Sequence, residues 1–140
     1  MLATELSYKR SRFSTRLLVH RKYTAGHSWL EQEDGDVWRV GFTKFAVRML
    51  GDIVELGFDA EPGAQVEVGQ VVGWLEGFKA VTDIFSPLKG CVEEVNPRLL
   101  EEVVLIARDP YGEGWLFKVR GALDSSCLDV HGYVELLDNT

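Results

Sequence analysis

The segment Val71-Val-Gly-Trp-Leu-Glu-Gly-Phe-Lys-Ala-Val-Thr-Asp-Ile-Phe-Ser-Pro-Leu-Lys-Gly90 sets one lysine between two short apolar, β-branched runs, Val71 to Leu75 and Ala80 to Phe85. Gly77 interrupts the pattern just before Lys79, and Pro87 and Gly90 close the second run. Strand-like runs bounded by turn residues predict a β-hairpin with Lys79 at its tip. A lone lysine held out on a rigid hairpin is a poor catalyst and a good attachment point. Its amine is charged at neutral pH, with an ordinary pKa of about 10.4, so acylating it needs an enzyme. The pattern therefore points to a carrier whose chemistry belongs to a group attached at Lys79.

Around this hairpin the chain reads as mainly β. Residues 16–23 suit a first strand, and Trp29 to Glu33 and Val37 to Gly41 suit a hairpin about Glu33-Asp-Gly-Asp36, Asp-Gly being a strong turn signal. Thr43 can cap a short helix that Gly51 ends, with Phe45, Met49 and Leu50 on its inner face and Arg48 outward. Further strands are expected at Ile53 to Gly57, Val66 to Gly69, Gly90 to Val95 and Trp115 to Val119, with a helical turn in 98–106. Leu123, Cys127, Val130, Val134 and Leu137 recur at helical spacing and predict a C-terminal amphipathic helix. Val66-Glu-Val-Gly69 and Val92-Glu-Glu-Val-Asn96 flank the lysine hairpin as a weak echo, which fits two β halves forming a flattened barrel-like sandwich.

With 140 residues the chain is the size of one domain. Residues 1–23 hold six Lys/Arg against one acid, a balance of +5, while the remainder holds nine against 21, a balance of −12, within a net charge of −7. An acidic body excludes nucleic acid and anionic membranes as partners and suits a basic one. Residues 1–15 read as a solvated basic arm and 16–140 as the carrier domain. A cytoplasmic location is expected, the alternative being the mitochondrial matrix if the basic start is a transit peptide. Cys91 and Cys127 form no CxxC pair and read as free thiols in a reducing compartment. His20, His27 and His131 lack metal-ligand spacing, so neither a metal site nor a catalytic residue is expected. Lys89, past Pro87, reads as a solvated side chain.

The run Gly51-Asp-Ile-Val54, Gly69, Glu76-Gly-Phe-Lys-Ala80, Asp83, Ser86-Pro87, Gly90, Glu94-Val-Asn96 and Asp109-Pro-Tyr-Gly-Glu-Gly-Trp115 resembles the lipoyl-carrier H-protein family of the glycine cleavage system. The match spans about Tyr23 to Val119. The resemblance implies a barrel-sandwich hybrid with short helices and a C-terminal helix, with lipoate amide-linked to Lys79. It implies that Glu76 and Gly90 are read by the lipoylating enzyme, and that Asp83 and the position of Ser28 line a cleft for the loaded arm. The implied role is non-enzymatic: shuttling an aminomethyl group from a P-protein to a T-protein, with reoxidation by an L-protein. Biotin carriers set their lysine between methionines, whereas Phe78 and Ala80 flank it here.

Three places depart from the family pattern. Ser28 stands where a glutamate is usual, Gly26 where a serine is usual, and Gly77-Phe78 where Ser-Val is usual. Loss of a carboxylate weakens the expected hold on a cationic cargo. The alternatives are therefore an H-like carrier in another lipoate pathway, sulfur oxidation or lipoyl relay, or an unmodified acidic interaction module.

Overall fold

Alternating apolar residues and frequent turn residues produce a chain of short strands, seen in a computed structural model that describes residues 4–140. In chain order the elements are β1 (Glu5–Arg10), β2 (Phe13–Leu18), β3 (Lys22–Tyr23), β4 (Ser28–Gln32), β5 (Val37–Phe42), α1 (Lys44–Leu50), β6 (Ile53–Phe58), β7 (Gln65–Val66), β8 (Val71–Gly77), β9 (Val81–Phe85), β10 (Leu88–Val95), a 3₁₀ turn (Pro97–Leu100), α2 (Leu105–Arg108), β11 (Phe117–Leu123) and α3 (Val130–Asp138). A six-stranded antiparallel sheet runs β3-β4-β5-β11-β10-β7, a three-stranded sheet runs β6-β8-β9, and β1-β2 stand as a separate hairpin. No helix among the described residues is long and apolar enough to cross a membrane.

The two larger sheets share one core. Leu30, Val40, Val66, Leu88, Val92, Phe117 and Val119 from the six-stranded sheet meet Val72, Leu75 and Ile84 from the three-stranded one. Each sheet also sets a tryptophan over a glycine on the neighbouring strand. Trp29 lies across Gly41 and Trp74 across Gly57, and a Cβ at either glycine would stand 2.5 Å from the indole. The echo noted in the sequence corresponds to two buried core valines, Val66 and Val92.

Over its described residues, the expected basic arm is a packed hairpin and not a solvated segment. Residues 5–10 and 13–18 pair as a hairpin whose inner face buries Tyr8, Phe13 and Leu17 against Tyr23, Trp29, Val130, Tyr133 and Leu137. The Tyr8 hydroxyl donates to Asp138 at 2.8 Å, and Arg10 donates to the carbonyls of Leu137, in the last turn of α3, and Thr140, just beyond it. A boundary between 15 and 16 would cut through β2. Residues 1–3 of the expected arm lie outside the described residues. The physical reason is that apolar Tyr8 and Phe13, scattered among charges, share one face once the strand pleat alternates them.

The C-terminal helix is shorter than its apolar spacing implies. Asp129 caps it by accepting from the Gly132 N–H at 2.8 Å, so Leu123 falls in β11 and Cys127 in the preceding loop. Leu128 and Tyr23 exchange two backbone hydrogen bonds, which holds that loop extended. The strand expected through Val68 ends at Val66 because Gly69 turns the chain with φ +82°. The helix after Thr43 has the expected bounds and cap, but Val47 and Leu50 are its buried residues, and Met49 is 57% exposed.

Candidate functional site

Lys79 stands at the tip between β8 and β9, and three backbone hydrogen bonds fix that tip. The Gly77 N–H donates to the Ala80 carbonyl, the Phe78 N–H to that of Asp52, and the Lys79 N–H to that of Leu50, each at 2.9 Å. The Leu50 carbonyl is one of the acceptors that α1 leaves unsatisfied at its C-terminus, so the helix end and the hairpin tip complete each other. Gly77 has to be small for this contact. A Cβ there would stand 2.2 Å from the Leu50 carbonyl oxygen. Gly51, at φ +75°, lies under the lysine stem, where a Cβ would be 3.0 Å from Lys79 Cγ. The side chain is exposed, and among the described residues no carboxylate pairs with it. Its apolar neighbours are also open, Phe78 being 82% exposed.

Two adjoining cavities lead away from the tip. The nearer, about 220 Å³, lies between α1 and β9 and is lined by His27, Met49, Leu50, Ala80 and Val81. The farther, about 420 Å³, contains Thr24, Ser28, Asp83, Phe85 and Ser126. Both are also lined by Gly26, Phe42 and Thr82, so one track runs from the lysine tip to Ser28 and Asp83. The stretch beside the tip is mostly apolar, and hydroxyl and carboxylate groups gather at the far end.

His27, in the wall of the nearer cavity, is held by a network that no sequence motif signals. His27, with φ +67°, places Nδ1 2.8 Å from the Tyr133 hydroxyl, which lies 2.8 Å from Thr43 Oγ1. Thr43 also donates its N–H to the His27 carbonyl at 2.9 Å while capping α1. Burial pushes the His27 pKa below its ordinary value, so the ring is neutral at neutral pH. His27 thus lines the nearer cavity while its ring is held by Tyr133. Ser126, on the loop before α3, is a second groove residue outside any motif.

Ser28 donates its N–H to Thr24 Oγ1 at 3.1 Å and pairs with Phe42 across β4–β5. Asp83 lies exposed on β9 opposite Trp74. Glu76 sits on β8, partly exposed, directly across from Glu55 on β6, an unfavourable like-charge pair. Gly90 belongs to the other sheet, in β10, opposite Gly121 and Val66. A Cβ there would fall 1.9 Å from the Arg120 carbonyl oxygen, so close strand approach alone demands glycine. The structure thus brings Ser28 and Asp83 into one groove, keeps Glu76 on the strand that leads into the lysine tip, and gives Gly90 a backbone task.

The Asp109-Pro-Tyr-Gly-Glu-Gly-Trp115 motif works at a distance from the lysine. Asp109 accepts from the Glu113 N–H at 2.9 Å, and buried Asn96 donates to the Glu113 and Trp115 carbonyls at 2.9 and 2.8 Å. Pro110 supplies the acceptor for Trp29 Nε1–H at 2.9 Å, and the Tyr111 hydroxyl accepts from the Lys44 N–H at 3.0 Å. The motif is a buttress for the start of α1 and for β4.

Two sheets around a single core, with an exposed lysine on a pinned hairpin, define a carrier domain of the barrel-sandwich hybrid class. The family model described as glycine cleavage H-protein matches residues 21–135, and the chain belongs to that family. It is 46% identical over 116 residues to the glycine cleavage system H protein of Bacteroides fragilis, covering 80% of this chain and 90% of that protein. It is 43% identical over 119 residues to that of Thermotoga maritima, covering 82% and 94%. The fold is similar to the crystal structure of a glycine cleavage system H protein from Mycobacterium marinum, with a TM-score of 0.79 and 34% identity over 87% of this chain and 99% of that one.

Proposed function

We propose that this chain is the lipoyl carrier of a glycine cleavage system, with lipoate amide-linked to Lys79. The observation that carries the reading is the pinned Lys79, without a carboxylate partner among the described residues, beside a groove that runs from Ala80 to Ser28 and Asp83. The residues present fit such a group. Met49, Val81 and Phe42 suit a hydrocarbon arm, and Asp83 suits a cationic cargo at its far end. When bound, lipoate supplies a dithiol–disulfide couple that accepts an aminomethyl unit at sulfur and yields it elsewhere. The chain's own residues position and shield. Leu50 and Asp52 anchor the root of the arm, the apolar walls limit water, and Asp83 offers a charge-assisted acceptor.

The chain is then a carrier and not an enzyme. Its partners are P-, T- and L-protein-like enzymes and a lipoylating enzyme, all in the cytoplasm. Tethering raises the effective concentration of the cargo at each partner. Glu76 is proposed as the contact for the lipoylating enzyme, since its placement opposite Glu55 costs stability without a structural return. Gly90 is proposed to act in that recognition only by keeping β10 and β11 close.

Intact mass measurement after incubation with lipoate and a lipoylating enzyme tests the reading. One lipoyl mass is expected on the wild type and on Lys89→Arg, and none on Lys79→Arg. An unmodified wild type would return the chain to the class of interaction modules.

A further inference from the structure

We infer that a basic groove between the N-terminal hairpin and the Pro110–Tyr111 loop docks an acidic segment of a partner protein. The groove, about 580 Å³, is lined by Lys9, Arg16, Lys44 and Arg108, and among the described residues no carboxylate lines it. It opens in a chain of net charge −7, so its potential is opposite to that of the body around it.

Little within the chain cancels these four charges. Lys9 has no carboxylate partner among the described residues, and Lys44 Nζ donates to the Ser14 carbonyl at 2.7 Å, which leaves its charge intact. Arg16 meets Glu5 only at 4.0 Å with both side chains open, and Arg108 meets Glu102 at 3.2 Å in an exposed pair. The walls are preformed, because the Tyr111 hydroxyl lies 2.7 Å from Thr15 Oγ1 on β2 and accepts from the Lys44 N–H.

The ligand class follows from size and surroundings. A nucleic acid extends its charge well beyond such a groove and would meet the acidic remainder of the chain, whereas a short Glu/Asp-rich segment ends where the basic lining ends. The hairpin that builds one wall lies outside the matched region 21–135, and the opposite wall, with Lys44 and Arg108, lies within it. The groove is at the Lys44 end of α1 and Lys79 contacts the other end, about 10 Å along the helix. A partner seated in the groove is therefore beside the carrier lysine.

Fluorescence polarisation with a labelled Glu-Gly repeat peptide tests this on the full chain, whether or not Lys79 is modified. Saturable binding is expected, weakened about fivefold or more in Lys9→Glu and lost on raising salt from about 50 to about 300 mM. Arg108→Gln, off the hairpin on the opposite wall, should act in the same direction should Lys9→Glu loosen the hairpin. Lys89→Glu carries the same net charge as Lys9→Glu and should bind like the wild type. Absence of saturable binding, equal weakening by Lys89→Glu, or tighter binding of a single-stranded oligonucleotide of equal charge would each overturn the proposal.

Discussion

Replacing Gly77 with the serine usual at that position in the family should destabilise this chain. Family-typical substitutions commonly stabilise, so the direction is a sharp test of the packing at the tip. A Cβ at 77 would stand 2.2 Å from the Leu50 carbonyl oxygen, 2.8 Å from its carbon and 2.9 Å from Leu50 Cβ, against an ordinary contact of 3.4–4 Å. The hairpin would have to withdraw by about 1 Å from rigid backbone, since no flexible side chain can yield. Overpacking of this kind costs about 1–3 kcal/mol. Stretching the Lys79 N–H bond to Leu50 adds roughly 0.5–1.5 kcal/mol. The sum, roughly 1.5–4.5 kcal/mol, lowers the thermal midpoint by roughly 5–15 °C for a chain of this size. Calorimetry and urea unfolding would measure it, with lipoylation rate followed in parallel because the root of the arm moves. A Gly77→Ser variant as stable as the wild type and modified at the same rate would refute the claim that the tip is pinned to α1.

Truncation to begin at residue 19 should lower the midpoint by more than about 5 °C, because Tyr8, Phe13 and Leu17, each worth about 1.5–3 kcal/mol on burial, leave Tyr133 and Leu137 uncovered. Circular dichroism melts of the truncated chain check it. Stability should also fall on acidification through Glu31. Burial opposes its ionisation, but hydrogen bonds from Arg21 and His20 and the charges of Arg21 and Arg39 outweigh burial and hold its pKa at about 2 against 4.5. A depressed folded pKa contributes stability that is complete above 4.5 and disappears as pH falls toward about 2. Its ceiling is about 3 kcal/mol, reduced to about 1–2 by solvent at the partly open carboxylate. Urea midpoints across that window should slope in the wild type, and Glu31→Gln should lack this component. In the loaded carrier, Ser28→Glu adds a carboxylate to the wall that holds Asp83 and should slow release of the cargo, by at most about 1–3 kcal/mol. Formaldehyde and ammonia release over time measures that hold, and equal rates would mean Ser28 already suffices.

Features written in short-range chemistry are legible in the sequence itself. The lysine hairpin, the Asp34-Gly35 turn, the Thr43 cap and the Gly51 stop depend on residues within a few positions of one another, and all four stand where the sequence places them. The roles proposed for Lys79, Glu76 and Asp83 come from a motif, and their geometry is compatible with it. Periodicity misleads where it has to choose between elements. The apolar spacing from Leu123 to Leu137 runs across the end of a strand and the start of a helix, and only the Asp129 cap and the Tyr23–Leu128 bonds separate them.

By itself the sequence determined a mainly β fold with Lys79 at a hairpin tip, because turn chemistry and alternation act locally and need no knowledge of neighbours. Tertiary structure alone decided that the basic N-terminus is a docked hairpin, since Tyr8 finds its partner 130 residues away in Asp138. It alone decided that Ser28 and Asp83 line one groove, and that His27, in the wall of the adjoining cavity, is held by Tyr133 and Thr43. It alone explains Gly77 and Gly90, whose missing side chains are required by carbonyls of Leu50 and Arg120. Such contacts join segments remote in sequence, and their energies depend on close approach between backbones, which no residue pattern along one strand encodes.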